Sequence, residues 1–385
     1  MRAGGTGRPR RIFHLRDSGG MFGGERVILT LARNLDRRLF DLRLVCMDRG
    51  DGRSARLAGA ARACGISVQG LQVSRRLDAK AIRKLRELIV GQGAELVHSH
   101  DFKSDFYALA ATRGLGVKLV STAHGSTRDS FVKRLYLAFN ERLVYRGFDR
   151  VIAVSENLHA RLASGPLGPK RICVIQNGLD PGLLAAFEDR GHDGGDDGPL
   201  KAARRGDPLF AVIGRLFPDK GHAFFLQAFA SLAREFPDAR GLIVGDGPAR
   251  GDIEGQIRAL GLQDRVICCG VRSDMKRVYA AIDFLVIPSL TEGLPYVMLE
   301  AMACGVPVVA TSVGDIPLLV RDRVTGCLVA PGDAPAIFRR MKDLVVDREA
   351  ARAMARAGRK LVLKSFSAAT MAARTGGLYL SLLEG

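Results

Sequence analysis

The residue types best suited to chemistry gather between Ile287 and Pro307, where Glu292 and Glu300 bracket a Gly-Leu-Pro step and an apolar run. The stretch opens on the end of an apolar strand at Asp283 to Ile287. It crosses a polar turn, Ser289 to Gly293, and enters a helix predicted over Pro295 to Cys304, with Gly305 and Pro307 as its stop. That helix is apolar on every side except at Glu300, so it is buried, and an unpaired buried carboxylate is costly. Something must meet Glu300, which lies about 8 Å along the helix at 1.5 Å per residue. Between the two glutamates sits the helix N-terminus, whose free amides and positive dipole end seat phosphate. Carboxylates bind hydroxyls, so acid, anion seat and acid in series suit a sugar–diphosphate–ribose ligand. The competing reading is a capped core helix whose carboxylate is met by an arginine.

Cations stand nearby in the pattern. Arg215 and Lys220 follow a strand at Leu209 to Ile213, inside a turn bracketed by Gly214 and Gly221. Arginine can fork onto a phosphate and lysine can act as a point charge. Near the start, a strand at Arg11 to Leu15, a Gly-rich loop at Ser18 to Gly24 and a helix at Glu25 to Leu35 form a second phosphate-binding arrangement in principle. A dinucleotide reading, with Asp48 as the ribose acid, fails on spacing: Gly19, Gly20, Gly23 and Gly24 do not make G-x-G-x-x-G. His98, His100, His124 and Ser155 stand at strand ends, and each alone reads more readily as structural or, for Ser155, as an N-cap. His98 and His100 lack a Cys or carboxylate at metal-binding spacing, so no metal is expected.

These residues need a scaffold, and the chain supplies β/α alternation throughout. Strands at Leu42 to Met47, Leu96 to His98, Val117 to Ala123 and Arg150 to Val154 precede a turn at Asn177 and Gly178; a second series begins at Leu209. The pattern predicts parallel sheets with helices on both faces and ligands at the carboxyl ends of strands. Three segments are expected before the end of the chain: an acceptor-type domain at 1–180, a linker at 181–207 rich in Gly, Asp and Arg, and a second domain at 208–364. A terminal helix at 365–385 is expected to pack back toward the first domain. The 47% apolar content excludes general disorder, and the seven cysteines form no C-x-x-C pair, which reads as reduced core residues of a cytoplasmic protein. Neither a membrane-spanning run nor a signal peptide is expected.

The net charge of +18 is lopsided: residues 1–180 carry 32 Lys and Arg against 16 Asp and Glu. An anionic membrane surface or a phosphorylated acceptor suits that charge. Nucleic acid is set aside, because the chain has no Trp and no alternation of basic and aromatic residues. The basic stretch Ser130 to Arg146 reads as an amphipathic, core-facing helix, with contact to a membrane surface as the lesser reading.

Taken together, Gly214-Arg215-Leu with Lys220-Gly221, Gly245-Asp-Gly-Pro248 and Glu292-Gly-Leu-Pro-x4-Glu300-Ala-Met-Ala-x-Gly305-x-Pro307 resemble the retaining glycosyltransferase family 4. The likeness extends to Gly23-Gly24-Glu25, His100, His124-Gly125, Asn177-Gly178 and Phe366-Ser367, covering essentially the whole chain; Leu294-Pro295 departs from the Phe-Gly of many members. The resemblance implies a GT-B fold of two Rossmann-like domains facing a cleft, an α/β architecture. It implies a nucleotide-diphosphate sugar donor, UDP-linked, with Arg215 and Lys220 on the diphosphate and Glu300 on the ribose. It places Glu292 on the transferred sugar, the Gly293 and Leu294 amides and the glycines Gly23 and Gly24 beside the diphosphate, and the backbone at Val271 against the base. His124 is implied near the reacting carbon. It further implies retention of configuration without metal or other cofactor, and a glycan or lipid-linked acceptor of cell-surface polysaccharide or lipopolysaccharide synthesis, with peripheral contact to an anionic membrane. A UDP-sugar epimerase of the same fold, or a silent nucleotide-sugar-binding protein, is the alternative.

Overall fold

The chain divides into two units, Met1–Gly178 with Ala368–Gly385, and Leu179–Ser367. The computed structural model describes residues 8–17, 23–50, 52, 54–75, 77–124, 139–179, 198–203 and 207–385. The Gly-rich residues 18–22, Gly125, most of the 130–146 stretch and most of the expected linker lie outside that set.

The first unit is built on seven parallel strands: β1 (Arg10–Asp17), β2 (Phe40–Asp48), β3 (Ser67–Gln72), β4 (Leu96–Ser99), β5 (Lys118–Ala123), β6 (Arg150–Ala153) and β7 (Ile172–Val174). Their order is β3-β2-β1-β4-β5-β6-β7. Strand β3 was not foreseen in the sequence. It is an edge strand of sequence SVQGLQ in which only Leu71 is buried, so it has no apolar run to announce it.

Alternation along the strands sorts the side chains onto two faces. Phe13, Leu15, Val45, Met47, Val97, Leu119 and Val151 form one core with the helices Ala79–Gly91 and Phe102–Thr112. The helix Gly23–Asn34 packs against the last helix of the chain, Ala368–Glu384, in this same unit. That packing is close. A Cβ on Gly376 would lie 3.2 Å from the Phe40 ring, and the Tyr379 ring meets Phe40 edge-on at 5.7 Å.

The second unit has six parallel strands in the order β10-β9-β8-β11-β12-β13. They are β8 (Leu209–Ile213), β9 (Arg240–Val244), β10 (Val266–Gly270), β11 (Phe284–Ile287), β12 (Val308–Thr311) and β13 (Cys327–Val329). Leu209, Ala211, Leu285 and Ile287 share one core with the helices Met275–Ala281 and Tyr296–Ala303. Phe210, Val212, Phe284 and Val286 share the other with His222–Glu235 and Ala334–Val346. Burial on both faces explains why these strands read as unbroken apolar runs. Residues 199–203, taken from the sequence as linker, are instead the helix Pro199–Ala203, and its Leu200 and Ala203 are buried in this unit's core.

Each sheet reverses its strand order once, between β1 and β4 and between β8 and β11. At such a point the loops leaving neighbouring strands diverge to opposite faces and open a crevice at the carboxyl ends. Gly24, His98 and His100 lie on elements around the first point and Arg215, Lys220 and Glu292 around the second, whereas Val271 follows the edge strand β10.

Candidate active site

In the second unit the turn after β8 is pressed against the end of β11. Gly221 has φ +67°, and a Cβ there would lie 2.0 Å from the Pro288 carbonyl oxygen, so only glycine fits. The Leu290 amide donates to the Asp219 carbonyl at 2.8 Å. This brings Lys220 Nζ to 2.7 Å from Glu292 Oε1, both side chains mostly shielded from solvent. Ser289 Oγ donates to the same oxygen at 3.0 Å, and Thr311 Oγ1 donates to the Ser289 carbonyl at 2.6 Å. From the other side Gly314, φ +56°, lies where a Cβ would be 2.1 Å from the Glu292 carbonyl, and the Asp315 amide donates to Gly293 O at 3.1 Å. The loop carrying Glu292 is therefore held by backbone contacts on two sides.

That loop feeds the helix Tyr296–Ala303, with Pro295 and Cys304 as its caps; Pro295 makes no side-chain cap bond. Glu300 is 1% exposed and its Oε2 accepts from the Tyr279 hydroxyl at 2.6 Å, so a tyrosine meets it. Arg215 is exposed and its guanidinium lies 4.9 Å from the centre of the Phe217 ring. Gly293 is exposed, Leu294 packs partly against the core, and Val271 is exposed just beyond β10. Two buried polar atoms flank this loop without partners among the described residues, His222 Nε2 and Asp315 Oδ1. Burial, and then Lys220, push the His222 pKa down to about 4, so its ring is neutral at neutral pH.

The first unit gathers histidines at its own reversal point. His14 on β1 lies beside His98 on β4 in register, and His100 and Thr122 follow on the same face. Thr122 Oγ1 and His98 Nε2 are 2.7 Å apart, and His98 Nδ1 is 2.5 Å from the Tyr379 hydroxyl. That hydroxyl is 3.2 Å from His14 Nε2; His14 Nδ1 is 2.9 Å from His100 Nε2; and His100 Nδ1 is 3.4 Å from His124 Nε2. Burial pushes the His14 pKa down to about 3, and burial followed by Arg16 does the same for His124. His98 and His100 lie well below 6.5, for burial and then for their histidine neighbours. All four rings are neutral at pH 7.

Ring nitrogens of His14, His98 and His100 are close enough to be weighed as metal ligands. All six nitrogens of these rings already have partners, and His98 and His100 stack face to face at 4.3 Å. Stacked rings point their lone pairs in parallel planes, so the lone pairs do not converge on a point. The arrangement suits a hydrogen-bonded chain better than a coordination sphere.

Arg16 was missed in the sequence. It donates to buried Glu25 at 3.0 Å and to the His100 carbonyl, and lies 3.7 Å from Asp101. Gly23 opens the adjacent helix, and a Cβ on Gly24 would lie 2.9 Å from the Arg16 guanidinium. His14 and Tyr379 were missed as well. Spacing by two at His14 and Arg16, His98 and His100, and Thr122 and His124 is the signal that puts these pairs on one face; Tyr379, 281 residues from His98, carries no local signal. On the opposite face Asp105 accepts from Ser99 Oγ (2.5 Å), Ser121 Oγ (2.7 Å) and Asn140 Nδ2 (2.8 Å), and burial pushes its pKa up to about 7.

The family described as Glycosyltransferase Family 4 matches residues 22–183, and the one described as Glycosyl transferases group 1 matches residues 207–347. An Escherichia coli UDP-Gal:alpha-D-GlcNAc-diphosphoundecaprenol alpha-1,3-galactosyltransferase is 26% identical over 97% of both chains. A D-inositol 3-phosphate glycosyltransferase of Segniliparus rotundus is 32% identical over 68% of this chain and 61% of its own length, so the chain spans about three fifths of that relative. Anabaena Alr3699/HepE, solved in complex with UDP, superposes with a TM-score of 0.81 at 21% identity, over 97% of this chain and 100% of that one. Among the described residues no helix is long and apolar enough to cross a membrane.

Proposed function

The chain belongs to the family 4, group 1 glycosyltransferases and has the GT-B fold, and from that premise we propose that it transfers a hexose from a UDP-sugar to a lipid-linked or glycan acceptor, with retention and without a metal. The observation that carries this reading is the Lys220–Glu292 pair, 2.7 Å apart, ahead of the N-terminus of the helix Tyr296–Ala303. Departure of a nucleoside diphosphate develops negative charge, and preorganised cations and amides aimed at that charge lower the barrier. Lys220 and Arg215 supply the cations, and the Gly293 and Leu294 amides supply the donors. Lys220 rests on Glu292 until a diphosphate takes its place, which frees the Glu292 carboxylate for a sugar hydroxyl. Glu300, held by Tyr279, takes the ribose, and the backbone at Val271 takes the base. Kinship supports assigning Gly23 and Gly24 to the diphosphate and His124 to the reacting carbon.

The acceptor follows from charge and from kinship. The E. coli relative is named for an acceptor that carries a diphosphate on a lipid. An anionic lipid-linked acceptor suits a first half with 32 cationic against 16 acidic residues, and so does peripheral contact with an anionic membrane during surface-polysaccharide or lipopolysaccharide synthesis at the cytoplasmic face.

The test is transfer of radiolabel from UDP-glucose, UDP-galactose and UDP-N-acetylglucosamine to an extract of undecaprenol-linked glycans, with and without EDTA. Acceptor-dependent product that EDTA leaves unchanged is expected, together with a rise in melting temperature with UDP but not with ADP or GDP. Sugar released or isomerised with no acceptor present would replace transfer by the epimerase reading.

A further inference from the structure

The histidine chain of the first unit has a property that no single ring has. It runs Thr122 Oγ1, His98, Tyr379 Oη, His14, His100, His124, with five links of 2.7, 2.5, 3.2, 2.9 and 3.4 Å. A neutral imidazole has one N–H and one bare nitrogen, and a phenol has one O–H. The four inner members therefore bring four protons to five links, and the fifth proton must come from one end. Only two arrangements satisfy every link. Either Thr122 donates to His98 and every later member donates onward, or His124 donates to His100 and every member donates back toward Thr122. One ring cannot turn its polarity alone without leaving two lone pairs or two protons face to face.

The ends choose between the two. If Thr122 accepted from His98, its own buried proton would need another acceptor, and among the described residues it has no second partner. A buried donor left unpaired costs about 1–3 kcal/mol. Thr122 therefore donates, and the polarity runs outward: His98 Nδ1–H to Tyr379, Tyr379 O–H to His14 Nε2, His14 Nδ1–H to His100 Nε2, and His100 Nδ1–H to His124 Nε2. His124 accepts at Nε2 and keeps its proton on Nδ1. His124 as a residue is half-buried, and among the described residues that Nδ1 has no partner. The chain thus presents a hydrogen-bond donor, and not a lone pair, at its open end.

We propose that Thr122, His98, Tyr379, His14 and His100 are positioning residues that act in series to fix His124 as its Nδ1–H tautomer, so that the last helix of the chain sets what His124 offers to a bound sugar. The sugar contact rests on the function proposed above; the tautomer does not. A donor at that position suits the departing glycosidic oxygen, which has lone pairs and no proton to give; the lone pair of the other tautomer would repel that oxygen and could only accept from a hydroxyl.

The experiment is a long-range 1H–15N correlation spectrum of the full-length protein labelled at histidine, with the His124 signals assigned by His124→Gln. In the unmodified protein His124 is expected as a single Nδ1–H form. Thr122→Val removes the donor that sets the polarity, and Tyr379→Phe removes the bridge between His98 and His14. In both, the Nε2–H form of His124 is expected to appear, while Thr122→Ser restores the parent spectrum. A His124 spectrum unchanged in both variants, with melting temperatures showing both folded, would overturn the proposal. Turnover separates the two layers of inference. A fall in kcat of about tenfold or more in Tyr379→Phe, with KM for the donor unchanged, matches one lost hydrogen bond at the reacting centre. A changed tautomer with unchanged kcat would keep the chain and remove His124 from the reaction.

Discussion

Lys220 and Glu292 are neighbours in space and 72 residues apart in sequence, and their pairing gives each mutation a distinct outcome. On the proposed function, Lys220→Ala removes the charge that would meet the diphosphate and leaves Glu292 to repel it. We expect kcat/KM to fall by about 10²–10³, the usual size for one lost transition-state donor. Tyr279→Phe acts differently, because it takes one donor from a carboxylate that is 1% exposed. KM for the donor should rise by about tenfold with kcat nearly kept, since ribose binding is lost equally in ground and transition states. Steady-state kinetics with saturating acceptor check both. Wild-type constants in Lys220→Ala would end the diphosphate assignment. These acidic and basic positions were legible in the sequence because both lie next to glycines and prolines that fix their loops. Tyr279 was not. A tyrosine on an apolar helix reads as core, and only packing of that helix against Tyr296–Ala303 turns its hydroxyl toward Glu300.

At the scale of elements, the sequence announced most strands and helices through apolar runs and glycine punctuation. It failed where burial is one-sided or minimal. Edge strand β3 and the short helix Pro199–Ala203 each bury only one or two side chains, too few to make a period. The turn joining β8 to its helix makes a sharper point. Gly221→Ala must move the Pro288 carbonyl away from a Cβ at 2.0 Å and must hold alanine at φ +67°. Strain of about 1–3 kcal/mol is expected, with the Lys220–Glu292 pair pulled apart as the turn shifts. Urea unfolding should show a lower midpoint at unchanged m, and activity should fall with it. Gly293→Ala, with nothing within 4 Å of its added Cβ, should leave the midpoint in place.

Across the whole molecule, the buried histidines govern acid stability. Folded His14 and His124 are held at about 3 and His98 and His100 well below 6.5, so in acid the unfolded chain binds protons that the folded one refuses. Stability is fully present above about pH 6.5 and is lost as pH falls, by up to ~1.4 kcal/mol per pH unit for each ring that stays neutral. Asp105 runs the other way. Its pKa of about 7 makes the folded state hold a proton that the unfolded state releases, which favours folding as pH drops from about 7 to 4. With several histidines set against one aspartate, the melting temperature should fall between pH 7.5 and 5.5. Asp105→Asn should steepen that fall by removing the opposing group, and a flat profile in both proteins would contradict neutral histidines in the fold.

The last helix carries a consequence for how the molecule is made. Residues 368–385 complete the unit that begins with the first strand, yet they leave the ribosome after the whole of the second unit. While the second sheet is being synthesised, His14 and His98 have been made but their shared tyrosine has not. Until residues 368–385 are made, the first unit lacks the Tyr379 partner of two histidine rings and the ring that meets Phe40. The hydrogen-bonded environment of His14 and His98 is thus tied to synthesis of residues 368–385, and a chain cut before Tyr379 lacks it.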